Sequence, residues 1–271
     1  MKKILTMMLL VLVCSIIVQA QDADYQPLYF PTGTVWEEVI IDPYPLDTIH
    51  SNLYEIGGDT IINEKNYKCV LLDGQPRGLW VREQDGIVWV LSDLYPSDIK
   101  IYDFNWDGIT EYSFEYLSID YETGDREVKT CTVPTSHTSN VVYNGETYWY
   151  VANALFGDTI VNKIGRIRDV DLDCALLGTI MYEPVLPGLI YSKVLWIKRK
   201  GEIIYDAKPF EKAVLCKRAD INHDGQVDIS DVNGVINMML GKSDIAPVDV
   251  TGDGQVDISD VNLVINAMLG K

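Results

Sequence analysis

The sequence predicts an all-β body, a sandwich or an open barrel, followed by a small all-α module at its C-terminal end. Three observations carry this. Residues 21–215 are built from short runs rich in Val, Ile, Tyr, Trp and Thr, many alternating apolar with polar. That period of two is the signature of half-buried strands. Turn-forming Gly, Asp and Asn separate the runs. The last residues then repeat one segment: Asp220–Lys242 and Asp249–Lys271 are identical at 18 of 23 positions, with a period of 29. Chance does not produce such self-similarity.

The elements follow in order. Lys2 and Lys3 precede an apolar run from Ile4 to Val18, and Val18-Gln19-Ala20 offers short residues at a cleavage site. Residues 1–20 therefore read as a secretory signal peptide cut before Gln21. The apolar run is too short for a comfortable membrane span, so the chain is expected outside the cytoplasm: secreted, periplasmic or at the cell surface. The body, residues 21–215, holds runs such as VWEEVII, LWVRE, GIVWVLS, TYWYVA and VLWIKR. Turns are expected at IGGDT, REQDG, NWDG, ETGD, YNGET and RKGE. Asn-Gly in the stretch Tyr143–Tyr148 is the sharpest hairpin signal, because both central residues of a tight turn need positive φ. No stretch of the body shows a sustained helical period. No blade-length repeat appears, which favours a sandwich or barrel over a propeller.

The formal net charge is −18. Such a balance argues against nucleic acid and anionic membrane surfaces as partners. Cys69, Cys131, Cys174 and Cys216 follow the leader, and four cysteines in an exported chain allow three disulfide pairings or free thiols.

Residues 216–271 carry the clearest chemistry. Nine Asp stand against two Lys between Ala219 and Lys271. That imbalance alone predicts disorder, yet the Asp spacing is regular. Read as a twelve-position loop, the first copy places Asp220, Asn222, Asp224, Gln226, Asp228 and Asp231 at positions one, three, five, seven, nine and twelve. Asp249, Thr251, Asp253, Gln255, Asp257 and Asp260 take the same places in the second copy. Calcium is a hard cation that takes six to eight oxygens, and alternate positions of a tight loop can point inward together. Gln226 and Gln255 would contribute backbone carbonyls, with Gly225 and Gly254 permitting the turn. Two Ca2+ sites are expected. Thr251 puts a hydroxyl where the first loop has an amide, so the second site should be the weaker. After each loop an apolar stripe runs at helical spacing: Val232, Val235, Ile236, Met239 and Leu240, then Val261, Val264, Ile265, Met268 and Leu269. Gly241 and Gly270 are expected as helix caps. The two stripes should bury each other, which couples metal binding to folding. Chelation should then unfold the module and leave the body intact.

Loops, following helices and duplication resemble the type I dockerin domain over Asp220–Leu269, with EF-hand-like loops but no full helix before the first one. The resemblance implies a cohesin-like partner on a scaffold or cell surface. It also implies that positions ten and eleven, Ile229 and Ser230 with Ile258 and Ser259, face that partner. Ile at position ten departs from the small hydroxyl residue common in cellulosomal dockerins. The body resembles secreted β-rich proteins of Bacteroidetes-type gut bacteria through Gly58, Asp59, Thr60, Tyr67 and the Glu83–Gly86 hairpin, a resemblance that implies fold rather than activity.

Weaker signals remain. Asp103, Asn105, Asp107, Gly108 and Glu111 form a short loop with calcium-type oxygens, but position twelve is Phe114. An Asp-Gly turn accounts for it equally. Three histidines, His50, His137 and His223, stand in no recognisable catalytic motif, and the many carboxylates, Glu37, Glu38 and Glu115 among them, single out no acid–base pair. Trp80, Trp89, Trp106, Tyr148, Trp149 and Tyr150 read either as strand core or as a glycan-stacking platform. The sequence thus supports a non-catalytic binding body carried by a docking module. Its alternatives are a polysaccharide-degrading enzyme of glycoside hydrolase type, and a structural surface protein with a calcium-stabilised end.

Overall fold

The computed structural model describes residues 27–270, except 44–45, 94, 96, 121–122, 154–157, 170–175, 178–179, 184–190, 243–248 and 252–254. The leader at residues 1–20 and Cys174 therefore lie outside the described residues.

The body is mostly β-sheet, as expected, and its main sheet is a half-barrel. It begins with β1 (Val35–Pro43), β2 (Leu46–Ile62), β3 (Lys65–Leu72), β4 (Gln75–Gln84), β5 (Ile87–Ser92) and β6 (Ile99–Asp103), an antiparallel meander. On the other flank come β9 (Thr138–Tyr143), β10 (Glu146–Asn153), β11 (Asp158–Val161), β12 (Gly165–Asp169) and β14 (Tyr191–Arg199), which closes on β1. β15 (Glu202–Asp206) pairs with β14. A smaller sheet, β7 (Tyr112–Asp120), β8 (Arg126–Val133) and β13 (Ile180–Glu183), has β7 at its centre. No described helix is long and apolar enough to cross a membrane.

Local turn chemistry sets the hairpins. Asp73-Gly74, Asp85-Gly86, Asn144-Gly145 and Lys200-Gly201 all have positive φ at both positions, the geometry that matches the strand twist. IGGDT differs from expectation. It lies inside β2, where the register with β3 shifts between Ile56 and Asp59. The two glycines mark a bulge rather than a turn: a Cβ on Gly57 would stand 2.6 Å from Cys69 Sγ.

The core is strongly aromatic. Trp36 and Tyr54 stack at 5.3 Å, and Tyr102 and Phe104 at 5.1 Å. Glu83 is buried as well, and its carboxylate accepts the backbone N–H groups of Leu28, Tyr29 and Phe30 at 2.8, 2.8 and 3.1 Å. One carboxylate thereby fastens the segment ahead of β1 across the sheet. Cys69 and Cys216 carry free thiols.

Candidate functional site

β15 runs into a helix without a linker. Asp206 ends the strand, caps helix α1 (Ala207–Ala219) by accepting from Lys208 N at 3.1 Å, and donates its own backbone N–H to Tyr143 Oη at 3.0 Å. This corrects the expectation that no full helix precedes the first loop. The helix was hidden because its apolar residues serve two cores. Ala207, Phe210, Ala213 and Val214 pack into the body, while Leu215 and Ala219 pack into the repeat module. Phe210 meets Tyr143 at 5.3 Å and Tyr205 at 5.4 Å. Lys217 Nζ donates to Asn140 O and Oδ1 on β9 at 2.6 and 2.7 Å, and its burial lowers its pKa.

Asp220, position one of the first loop, ends α1 by donating its N–H to Cys216 O. Its carboxylate accepts Asp224 N at 3.1 Å and Gly225 N at 2.9 Å. Asn222 Oδ1 accepts Asp224 N, and Asp224 Oδ1 accepts Gln226 N, both at 2.9 Å. His223 and Gly225 take positive φ to make the turn. Asp231 is fully buried; Oδ1 accepts from Ile221 N and Asn222 N, and Oδ2 accepts Asp228 N at 2.9 Å. In the second loop Asp260 is equally buried and accepts from Thr251 N and Asp257 N, both at 2.8 Å. Thr251 Oγ1 donates to Asp249 Oδ1 at 3.0 Å. Asp253 lies outside the described residues.

Positions nine and twelve also do something the sequence reading missed. Asp228 caps helix α2 (Ile229–Met239), Asp257 caps helix α3 (Ile258–Met268), and Asp231 and Asp260 reach back to the cap N–H. These are two reciprocal capping boxes. The signal was present as D-x-x-D before an apolar run. Both bonds from Ser230, side chain then backbone, hold the Asp228 carboxyl below its ordinary range. Burial works to raise Asp260, but the N–H groups of Asp257, Thr251 and Val250 outweigh it and lower its pKa.

The helices bury Val232 and Val235 against Val261, Val264 and Ala267. The expected stripe is only half covered on α2. Ile236, Met239 and Leu240 are 37%, 41% and 59% exposed, because the apolar arc is wider than one facing helix can cover. On α3, Ile265 and Met268 do pack against the module core, since α1 lies against α3 and Lys212 Nζ reaches Gly270 O at 3.4 Å. Gly241 and Gly270 both end their helices at positive φ. At the helix N-termini, Ile229 and Ile258 are 61% and 59% exposed, with Ser230 and Ser259 exposed beside them.

A family model for the dockerin type I domain matches residues 218–269. This segment is a dockerin type I domain. Type I dockerins typically bind calcium, and the domain implies a cohesin partner. No curated protein and no solved structure matches the chain, so the body's resemblance to secreted gut-bacterial proteins has no support beyond its own motifs.

The dockerin loops fit a hard cation by donor type: every side-chain candidate is a carboxylate, amide or hydroxyl oxygen. Among the described residues, no Lys or Arg pairs with Asp220, Asp224, Asp228 or Asp231. No three His, Cys, Asp or Glu side chains among them converge on one point; the loop carboxylates are turned to backbone N–H groups instead.

The other candidates separate. Asp107 Oδ1 accepts Ile109 N at 2.9 Å, which first of all lowers its pKa, and Asp103 Oδ1 accepts Asn105 N. These close a turn that is covered by Trp149: a Cβ on Gly108 would fall 2.0 Å from that ring. Beside it lies a cleft of about 350 Å³ lined by Lys100, Asp103, Asn105, Glu111 and Ser113, among others. Glu37 accepts from Ser51 Oγ and Trp196 Nε1, Glu38 from Trp36 Nε1 and Leu176 N, and Glu115 from Lys100 N. All three are tied into the fold. His50, His137 and His223 are exposed on separate elements. Trp106 is core, Tyr148, Trp149 and Tyr150 pack onto the core, and Trp80 and Trp89 do neither.

Proposed function

We propose that the chain is an exported, non-catalytic binding protein, residues 21–215 forming the binding body and residues 216–271 the docking module, with residues 1–20 its leader. Calcium at two sites orders the module. Asp220, Asn222, Asp224, the Gln226 carbonyl, Asp228 and Asp231 serve the first. Asp249, Thr251, Asp253, the Gln255 carbonyl, Asp257 and Asp260 serve the second, more weakly for want of an amide at Thr251. Ile229 and Ser230, with Ile258 and Ser259, meet a cohesin-like partner. The observation that carries the reading is the exposure of Ile229 and Ile258 at two capped helix ends directly after the loops. Each Ile stands at the position that the dockerin resemblance assigns to the partner, beside an exposed Ser, and so offers an apolar anchor with a polar neighbour.

The ions would act by neutralising the carboxylates that each loop carries, so that docking depends on them. The test is surface plasmon resonance of the full chain over a panel of type I cohesin modules, in calcium and in EDTA. Binding in calcium alone, lost in the Ile229→Asp/Ile258→Asp double variant, is the expected result. Binding that survives EDTA, or no binding to any module, would overturn the docking assignment.

A further inference from the structure

On the outer face of β4 and β5, Trp80 stands opposite Leu91 and Arg82 opposite Trp89. The inner face of the same strands buries Val81, Glu83, Val88 and Val90. Alternation therefore turns both tryptophans away from the core, on neighbouring strands and in diagonal register, a spacing that long side chains bridge. Trp89 is also held rigidly. The Arg82 guanidinium lies 3.8 Å from the ring centroid, a cation–π distance. Arg82 is itself fixed, donating from Nε and Nη2 to Asp98 Oδ2 at 3.3 and 2.9 Å. Lys65 Nζ and Tyr67 Oη donate to the same carboxylate at 3.0 and 3.1 Å. The Arg82 and Asp98 side chains are each only 12% exposed, so the ion pair backs the ring rather than competing for a ligand.

Trp89 then faces Lys100 across β6. Lys100 lines the 350 Å³ cleft, whose wall adds Asp103, Asn105, Glu111 and Ser113. A preorganised aromatic face thus adjoins a polar cleft at the small end of ligand-site size.

We propose that this surface, Trp80 and Trp89 leading through Lys100 into the cleft, binds an uncharged glycan. The inference rests on the reading of the body as a binding domain and names its ligand class. A pyranose ring offers an apolar C–H face to the tryptophan and hydroxyls to the cleft, which carries both donors and carboxylate acceptors. Charge decides against the other occupants. The cleft sets three carboxylates, Asp103, Asp107 and Glu111, against one lysine on a chain of net charge −18, which repels an acidic polysaccharide and a second copy of the chain alike.

The test is affinity electrophoresis of the full chain in gels containing soluble β-glucan, xylan or galactomannan, with polygalacturonate as the acidic control. At least one neutral polymer should retard the protein. Trp89→Ala should weaken that retardation at least tenfold, Lys100→Met severalfold, and Trp89→Phe should retain most of it. Val142→Ala on β9 should be neutral. Retardation that persists in Trp89→Ala and Lys100→Met would overturn this site while leaving a binding body intact. No retardation by any neutral polymer would overturn both.

Discussion

Phe210→Ala tests whether the body and the dockerin are one cooperative unit. Phe210 is 2% exposed and packs edge-on to Tyr143 and at a tilt against Tyr205. Its removal leaves a cavity where α1 joins the sheet. Large-to-small changes of buried Phe cost about 3–5 kcal/mol, and the two aromatic contacts place this site near the middle, about 4 kcal/mol. The probe is built in. All six tryptophans precede residue 200, and residues 218–271 contain no aromatic residue, so tryptophan emission during urea unfolding reports the body alone. Because α1 supplies Phe210 to one core and Leu215 and Ala219 to the other, calcium removal should lower the tryptophan midpoint of the wild-type chain. That revises the expectation that chelation spares the body. In Phe210→Ala the midpoint should fall further and lose its calcium dependence. The difference between the two calcium effects measures the coupling, of order 1–2 kcal/mol for a shared element. A wild-type tryptophan transition identical in calcium and EDTA would refute the shared-helix argument.

Glu83→Ala should destabilise the body by about 3 kcal/mol, since hydrogen bonds to a charged acceptor contribute about 1.5–3 each and one of the three lies near the surface; denaturant midpoints and faster proteolysis around Leu28 would show it. Gly108→Ala, at φ +79° with Trp149 in the way, should cost about 3 kcal/mol by thermal unfolding, against about 1 for Gly145→Ala, which has the same φ and open space. The Asp98 cluster should show at both ends of the pH scale. Burial works to raise Asp98, but hydrogen bonds from Lys65, Arg82 and Tyr67 prevail and lower it. Its contribution is therefore whole above the ordinary value of 3.8 and is lost as pH falls through the lower folded value. Tyr67, pushed up to about 12 by burial and then by Asp98, contributes fully below pH 10.0 and loses that contribution as pH rises towards about 12. Stability curves for Asp98→Asn should be flatter on both limbs.

What could be read from the sequence was what is decided locally. Asn144-Gly145 and Asp85-Gly86 form tight turns because the backbone demands it of those residues, whatever surrounds them. Gly57-Gly58 was misread because a glycine pair punctuates a chain equally at a turn or at a bulge. Only the partner strand, bringing Cys69 against Gly57, decides between them. The loop residues were legible through duplication, but the capping work of Asp228 and Asp231 was masked by their fit to metal positions. Trp80 and Trp89 were ambiguous because β4 and β5 carry apolar residues on both faces. Alternation groups Trp80 with Arg82 and Val81 with Glu83, yet does not say which group the core will take. Helix α1 was illegible for a related reason: its apolar residues point to two cores, so no single stripe forms.

That same helix bears on the meaning of the duplication. In sequence the two proposed docking faces are nearly interchangeable, Ile-Ser in each copy above the same helix stripe. In the fold they are not. Packing of α1 against α3 draws Ile265 and Met268 into the module core, whereas their counterparts Ile236 and Met239 stay 37% and 41% exposed. A partner seated along α2 would meet Ile229, Ile236 and Leu240 as one line, at spacings of seven and four that keep them on one side of the helix. Along α3 it would meet Ile258 and Leu269, with the residue between them already engaged. Symmetry in the repeat is thus broken by what precedes it in the chain. The energy that docking draws from apolar contact should favour the α2 face, even though the residues at positions ten and eleven are the same in both copies.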